Sequence, residues 1–483
     1  MGKRGNIRSL LWGILILGAF LFLACHFFNN RWQLNPYDPL YRNWQLDSEE
    51  LVVNKILDAR SHGIGNYNGM MLEYQQQIGF AGMLFSGVDK LVNRHAGLTD
   101  PIPKDVMCGV NVFLFTVILF LFFCWIYREF GKITVGVVYL TTLFTHWMGF
   151  TAKNLYWVTW TMLLPMASLL LLLMWEERRG RCRNGWLFGL SFFFVFLRSA
   201  CGYEFISCVM VALELPLVYY GIKQRWGWKR YRNRAFLAGL GALGGFGGAL
   251  FVNIALMAGL HGWKDAVEYL VFVSAKRTGY ASLEGFDADV LASFEVPLLE
   301  VFRRYLQENN GYAIFVRWNL DVLIPVFLLA AAATVFVWRM RCRRRKVQGF
   351  MGKQEPVERE ETVMRKESVD RPLATQEDAV QRDLRMLGLN AMMAVSLLGP
   401  VSWLVLAKGH AVHHQHIDYI IFSLPFTMLG FASVAYNVLW HFREGLEGWG
   451  GNHAWFLTYG KRHRLVVPKE TKINDQGKKD DDI

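Results

Sequence analysis

The sequence predicts an all-α, polytopic bundle of about ten membrane-spanning helices with a long first outer loop. Three observations predict it. The 483-residue chain is 53% hydrophobic, and apolar runs close to the ~20 residues that cross a bilayer recur along its length. The net charge of +12 sits mainly in short loops between those runs, the pattern of cytoplasmic loops rather than of a nucleic-acid surface. With the basic N-terminus in the cytoplasm, every Arg-dense loop falls on that same side.

The elements follow in order. Met1-Gly2-Lys3-Arg4 is basic and Ser9–Phe28 is the first span. Phe22-Leu23-Ala24-Cys25 touches a lipoprotein cleavage pattern but lacks a Leu three residues before the cysteine, so an uncleaved anchor is expected. A long outer loop, 29–105, follows. Within it Gln45 to Leu57 reads as an amphipathic helix, with Asp47, Glu50, Asn54 and Asp58 on one face and Leu46, Val52, Val53, Ile56 and Leu57 around the other. Spans are expected at Met107–Tyr127, Ile133–Phe150, Tyr156–Trp175, Trp186–Leu197, Phe205–Ile222 and Ala235–Leu260. Basic loops carry Arg178, Arg179, Arg181 and Arg183, then Lys223 to Arg234.

A second outer segment, 261–316, leads to the span Leu320–Met340 and so closes a core of residues 1–340. The charged stretch 341–385, opening Arg341-Cys342-Arg343-Arg344-Arg345-Lys346, has no apolar period and is expected to be a disordered cytoplasmic loop. The last two spans, Met386–Ala407 and Ile420–Phe442, make the unit 386–442, and 443–483 is a charged cytoplasmic tail. The seven cysteines show neither zinc nor disulfide spacing.

Basic residues in short outer turns run against the charge rule and are therefore informative. Lys153 lies between spans three and four beside Tyr156, Arg198 between five and six, and Lys408 between nine and ten. Cations at headgroup depth can bind a phosphate or diphosphate; a snorkelling side chain or a local ion pair explains each one singly. After Lys408 come His410, His413, His414, His416 and Asp418. Their readings, in order, are contacts to a phosphate or sugar hydroxyl, an interfacial turn, and a divalent metal ion to which Asp47 or Glu50 could add carboxylates. Asp47-Ser48-Glu49-Glu50 also fits a capping box, but capping needs only one acid, and Glu49 falls toward the apolar arc, where a charge needs a partner or a task. Asp47 is the first candidate for a catalytic base, then Glu50, then Glu49.

Gln77, in the run Gln75-Gln76-Gln77, and Tyr203 and Glu204, at the outer start of span six, are candidate contacts to an acceptor or sugar; Glu204 could instead pair with Arg198. Gly239 to Gly244 matches GxGxxG but lies in an apolar run without a βαβ unit, so Gly241/Gly245 and Gly244/Gly248 are read as close helix packing. No Walker, GxSxG or HExxH motif is present.

One span, then an outer loop opening with acids on an amphipathic helix, then many spans joined by short turns, resembles the GT-C superfamily of membrane glycosyltransferases, which includes the protein O-mannosyltransferases and the bacterial lipid A aminoarabinose transferase. Leu46-Asp47-Ser48-Glu49-Glu50-Leu51-Val52 stands where that family keeps its first-loop acidic motif, here DSEE rather than Asp-Glu or Asp-x-Asp. Lys153-Asn154-Leu155-Tyr156-Trp157 with Pro165, and Lys408-Gly409-His410 through Asp418 with Ser423-Leu424-Pro425-Phe426, are similar to its later outer turns. The resemblance implies a multi-pass protein of the cell membrane with both termini cytoplasmic. It implies a polyprenyl-phosphate-linked sugar donor, an outer acceptor (glycan, lipid or protein) and inversion at the sugar carbon. Asp47 would deprotonate the acceptor, while Lys153, Arg198 and Lys408 would neutralise the leaving phosphate.

Two other readings stand beside it. A transporter of a lipid-linked sugar would place ionisable groups at mid-membrane, where only Asp321, Glu214 and His146 are candidates. A non-catalytic scaffold would use the charged loop or the tail.

Overall fold

The computed structural model describes residues 2–29, 48–54, 56–57, 77–96, 102–281, 284–307, 312–314, 316–351, 373–414 and 418–448. Up to Trp440 they belong to one unit; from His441 a second begins, of which 441–448 are described and are helical. Among the described residues, nine helices are long and apolar enough to cross a membrane. In order the helices are α1 Gly2–Asn29, α2 Phe80–Ala96, α3 Lys104–Phe130, α4 Lys132–Leu143, α5 His146–Ala152, α6 Trp160–Arg179, α7 Asn184–Cys201, α8 Ile206–Lys223 and α9 Trp228–His261. There follow α10 Trp263–Thr278, α11 Ala288–Glu295, α12 Leu298–Gln307, a two-stranded antiparallel pair β1 Tyr312–Ile314 and β2 Val316–Trp318, α13 Leu320–Met351, α14 Leu373–Ser396, α15 Leu398–Leu406, α16 Lys408–His413 and α17 Met428–Gly448. The nine crossing helices are α1, α3, α6, α7, α8, α9, α13, the joined α14–α15, and α17 with the π-helical turn Phe422–Thr427 before it.

The span expected at Ile133–Phe150 is not one helix. α4 has 12 residues, about 18 Å of rise against a ~30 Å hydrocarbon layer, and Thr145 is extended (φ −90°, ψ 94°) before α5 begins. The threonines supply the reason: Thr141 and Thr142 donate to the Val138 carbonyl, and Thr145 to the Thr141 carbonyl. Such back-bonding competes with the helical ladder and bends or ends helices. Elsewhere helices run past their expected limits. α13 continues to Met351 and α14 starts at Leu373, so the outer parts of the charged segment 341–385 are helical, and 352–372 lie outside the described residues. Trp338 and Trp440 each donate an indole N–H to Asp383 (3.1 and 2.9 Å), which ties this continuation of α14 to α13 and α17.

Ion pairs bring the C-terminal ends of α3, α6 and α8 and the start of α9 to one side, so the chain returns between α3 and α6 through the short helices α4 and α5. At one pole the starts and ends of helices meet through Arg128–Glu177 (2.7 Å), Lys223–Glu129 (2.7 Å), Lys223–Glu177 (2.6 Å) and Arg234–Glu176 (2.8 Å). Glu129 is buried, and it also accepts from the Tyr219 hydroxyl at 2.7 Å and faces Arg385; a carboxylate so placed needs several partners to offset desolvation. The opposite pole gathers the N-termini of α3, α6 and α8, the C-termini of α7 and α10, and α16.

Between the poles the core is aliphatic and aromatic, with Phe122, Trp125, Tyr219 and Leu389 among its fully buried side chains. α7 and α9 pack closely through glycines. A Cβ on Gly241 would lie 2.7 Å from the Phe188 carbonyl oxygen, and one on Gly245 would lie 2.3 Å from that of Phe192. Gly244 and Gly248 face the rings of Phe192 and Phe196. The glycine run is thus a helix-packing face.

Candidate functional site

The candidate site lies at the second pole and begins in the first-loop helix. Residues 48–54 and 56–57 are helical, with a π-helical turn at Glu49–Val53. Val52 and Ile56 are 2% exposed and join the main core, so the apolar face packs as its spacing requires. Glu49 pairs with Lys104 at the start of α3. Glu50 is exposed, and Asp47 lies outside the described residues. Ser48 is fully buried; its Oγ accepts from the Leu155 amide at 2.9 Å, joining this helix to the turn after α5.

That turn is built by Asn154. Its side-chain oxygen accepts from the amides of Tyr156 and Trp157 (2.9 and 2.8 Å), an Asx arrangement. Asn111 of α3 donates to the Asn154 carbonyl and accepts from the Trp160 indole. The turn therefore holds its shape by satisfying its own polar groups, and it delivers Tyr156 to Glu204, hydroxyl to Oε1, at 3.4 Å. Lys153 is half-buried and lies, with Lys104, within electrostatic reach of Cys108.

Glu204 is the centre of the cluster. It sits in the turn between α7 and α8 and is 3% exposed. Its Oε1 pairs with Arg277 near the end of α10 at 3.0 Å. Burial pushes the carboxyl up, but the charges of Arg277 and then Arg198 outweigh it, aided by a backbone hydrogen bond, and hold it below the usual carboxylate range. Its Oε2 has no hydrogen-bond partner among the described residues, and neither has the side-chain amide of Gln77, which is 1% exposed. The two converge on Gly202: a Cβ there would be 2.5 Å from Glu204 Oε2 and 2.8 Å from Gln77 Oε1. A buried carboxylate oxygen and a buried amide without partners form a pair that hydroxyl groups could satisfy.

Arg198 lies in the last turn of α7 and is fully buried. Its guanidinium donates to the Trp157 carbonyl (2.6 Å), the Thr161 hydroxyl (3.2 Å) and the main-chain carbonyl of Glu204 (2.6 Å). It holds two turns together through their backbones, and the carboxylate of Glu204 goes to Arg277 instead. Tyr203, whose hydroxyl burial pushes up, reaches the Ala249 carbonyl at 3.4 Å.

The turn carrying α16 closes the cluster. α10 ends at Gly279 (φ 67°), a left-handed position that suits glycine, and it presses on α16 so tightly that a Cβ on Gly409 would be 2.4 Å from the Lys276 carbonyl. Lys408 donates to the carbonyls of Phe294 (2.7 Å) and Val296 (3.3 Å) and stands over the Tyr280 ring. His410 Nδ1 is 3.2 Å from Asp418 Oδ2, which also accepts from Trp403 (2.9 Å) and Tyr305 (3.3 Å). His410 lies within electrostatic reach of Glu204 and packs against the tilted ring of His414, ring centres 4.4 Å apart. His413 is half-buried and its Nε2 has no partner among the described residues; burial, with help from Lys276, pulls its pKa down. His416 lies outside the described residues. Among the described residues no group of three or more His, Cys, Asp or Glu is placed to hold a metal ion.

The structure thus joins Glu49, Tyr156, Arg198, Glu204, His410 and Asp418 to one polar pole and leaves Tyr203 turned toward α9. Sequence reasoning missed Arg277, Ser48, Gly202, Tyr305 and Trp403. For Arg277 a signal existed, since Lys276-Arg277 is a basic pair in a segment rich in Asp and Glu; for the others only the folded chain reveals the contact. No protein-family model matches this sequence, no curated protein matches it and no solved structure matches the fold, so the functional reading rests on the geometry of this pole.

Proposed function

We propose that the protein is a membrane glycosyltransferase of the GT-C type, moving a sugar from a polyprenyl-phosphate carrier to an extracytoplasmic acceptor at the Glu204 pole. One observation carries the reading: Glu204 Oε2 and the Gln77 amide, which have no partners among the described residues, are buried beside Gly202 and flanked by Tyr156 and Arg277. Hydroxyl-rich ligands are bound by such carboxylate and amide groups. Arg277, Lys153 and Lys408 supply positive charge around this pole for a leaving phosphate. The first-loop acids Asp47 and Glu50 remain the candidates for the base, and Glu49 is occupied by Lys104. Arg198 is a positioning residue in this reading, because both its terminal nitrogens donate to main-chain carbonyls and a hydroxyl.

The test is a product assay in membranes that carry wild type, Asp47→Asn, Glu50→Gln or Glu204→Gln at equal abundance, supplied with polyprenyl-phosphate sugars. Wild type consumes a donor and forms a glycan product, and Glu204→Gln together with at least one first-loop variant loses it by 100-fold or more, on the order of an acid–base contribution. Equal product in all variants, or no donor consumed by wild type, overturns the proposal.

A second reading, transport of a lipid-linked sugar, is favoured by Glu214. It stands mid-way along α8, nine residues before Lys223, and its Oε2 is buried with no partner among the described residues. A carboxyl at that depth is costly and is more often functional than incidental. Sugar-lipid crossing in liposomes that depends on Glu214 but not on Glu204 would select transport over transfer.

A further inference from the structure

At the pole away from Glu204, between the starts of α7 and α9, Asn184, Arg232, Asn233, Phe236 and Leu237 line a cleft of about 400 Å³. We infer that this cleft binds the headgroup of an anionic phospholipid, whose acyl chain lies along α9. The inference does not depend on the transferase reading.

The face of α9 below the cleft is ordered as a phospholipid is. Lys229, Arg232, Phe236, Leu240 and Leu243 follow one another at steps of three and four, so they share one side of the helix. Lys229 and Arg232 are exposed, and Phe236, Leu240 and Leu243 are 70%, 47% and 60% exposed in a helix long enough to span a bilayer. Two cations therefore give way to an apolar stripe of the kind acyl chains cover. Trp186 and Trp228, 58% and 72% exposed, stand at the same ends of α7 and α9, where indoles mark the headgroup level.

The charge is not spent elsewhere. Arg234 pairs with Glu176, Arg230 stacks on Trp226, and Arg183 stacks on Trp175. Among the described residues no carboxylate pairs with Lys229 or Arg232. The amides of Asn184 and Asn233 add hydrogen-bond donors beside Arg232, and a guanidinium with amides suits phosphate oxygens. Two uncompensated cations favour a lipid of net negative charge over a zwitterionic one, since its phosphate charge has no choline to cancel it.

The test uses the full chain in detergent, with phosphatidylglycerol and phosphatidylcholine of identical acyl composition as probes and native mass spectrometry to count retained lipid. Three proteins are compared: wild type, Lys229→Gln/Arg232→Gln, and Lys264→Gln/Arg303→Gln. The last removes the same charge at the other pole from side chains that are 83% and 67% exposed. Wild type and the distal variant should retain phosphatidylglycerol over phosphatidylcholine, and the cleft variant should lose that preference by about 30-fold, the scale of two cations at a membrane surface. No preference in wild type, equal loss in both variants, or full retention in the cleft variant overturns the inference.

Discussion

Gly202 is where a single methyl group tests the candidate site most directly. Alanine there would put a carbon inside contact distance of both Glu204 Oε2 and Gln77 Oε1, so one of them must move. Gly202→Ala should abolish product formation while lowering stability by only about 1–3 kcal/mol, read as activity against the thermal midpoint of the same sample. Glu204 allows a pH test. Its carboxyl is held below the usual carboxylate range in the fold, so the stability it confers is complete above the unfolded value of about 4.3 and is lost as pH falls through the lower folded value. Glu204→Gln leaves Arg277 and Arg198 without that countercharge and should cost about 3 kcal/mol at pH 7. The gap between the thermal midpoints of wild type and variant should narrow as pH approaches 3; a constant gap would mean that the charge is not the cause. At this scale the sequence showed residue types in the right turns but not their partners. Glu204 and Arg277 are 73 positions apart, and no local pattern couples them, whereas Arg198 next to Glu204 suggested a carboxylate pair that the fold replaces with a main-chain contact.

The spans themselves were readable as elements because long apolar runs have few alternatives to a helix in lipid. The exception, α4 with α5, failed for a reason that hydropathy cannot register: threonine is apolar enough to pass, yet its hydroxyl competes for the helix carbonyls. The glycines of α9 were readable by spacing alone. Gly245→Ala drives a Cβ toward the Phe192 backbone, so α7 must move away; the expected cost is about 1–3 kcal/mol. Gly247→Ala, which meets nothing within 4 Å, should be neutral or stabilise by about 0.4–1 kcal/mol. Thermal unfolding of the pair in one detergent separates packing from propensity, and equal shifts would refute close approach as the reason for these glycines.

For the whole molecule, the two poles differ in how they use charge. The Glu129 pole shares one buried carboxylate among Lys223, Arg128 and Arg385, while at the Glu204 pole the buried carboxylate pairs with Arg277 through one oxygen and its other oxygen has no partner among the described residues. The positive-inside rule predicts that the first faces the cytoplasm. A membrane-impermeant maleimide should therefore label Cys182, which is exposed, only from the cytoplasmic side, and a Glu284→Cys variant of a chain lacking its native cysteines only from the other. Labelling of both from one side would overturn the alternating topology. The charge asymmetry behind that expectation was legible because it survives any error in span boundaries. The junction of the turns at the Glu204 pole into one network was not, because it depends on tertiary packing.

Arg198 has a consequence in time as well as in space. Opening the turn at Trp157 or the turn at Glu204 strands a buried guanidinium, so neither can open without the other. In hydrogen–deuterium exchange the amides of 157–162 and 204–209 should therefore exchange late and with one common rate, as a single opening unit. Arg198→Lys, which cannot span both carbonyls with one planar fork, should split them into two rates. The pole would then be a surface assembled before any ligand arrives rather than one completed by it.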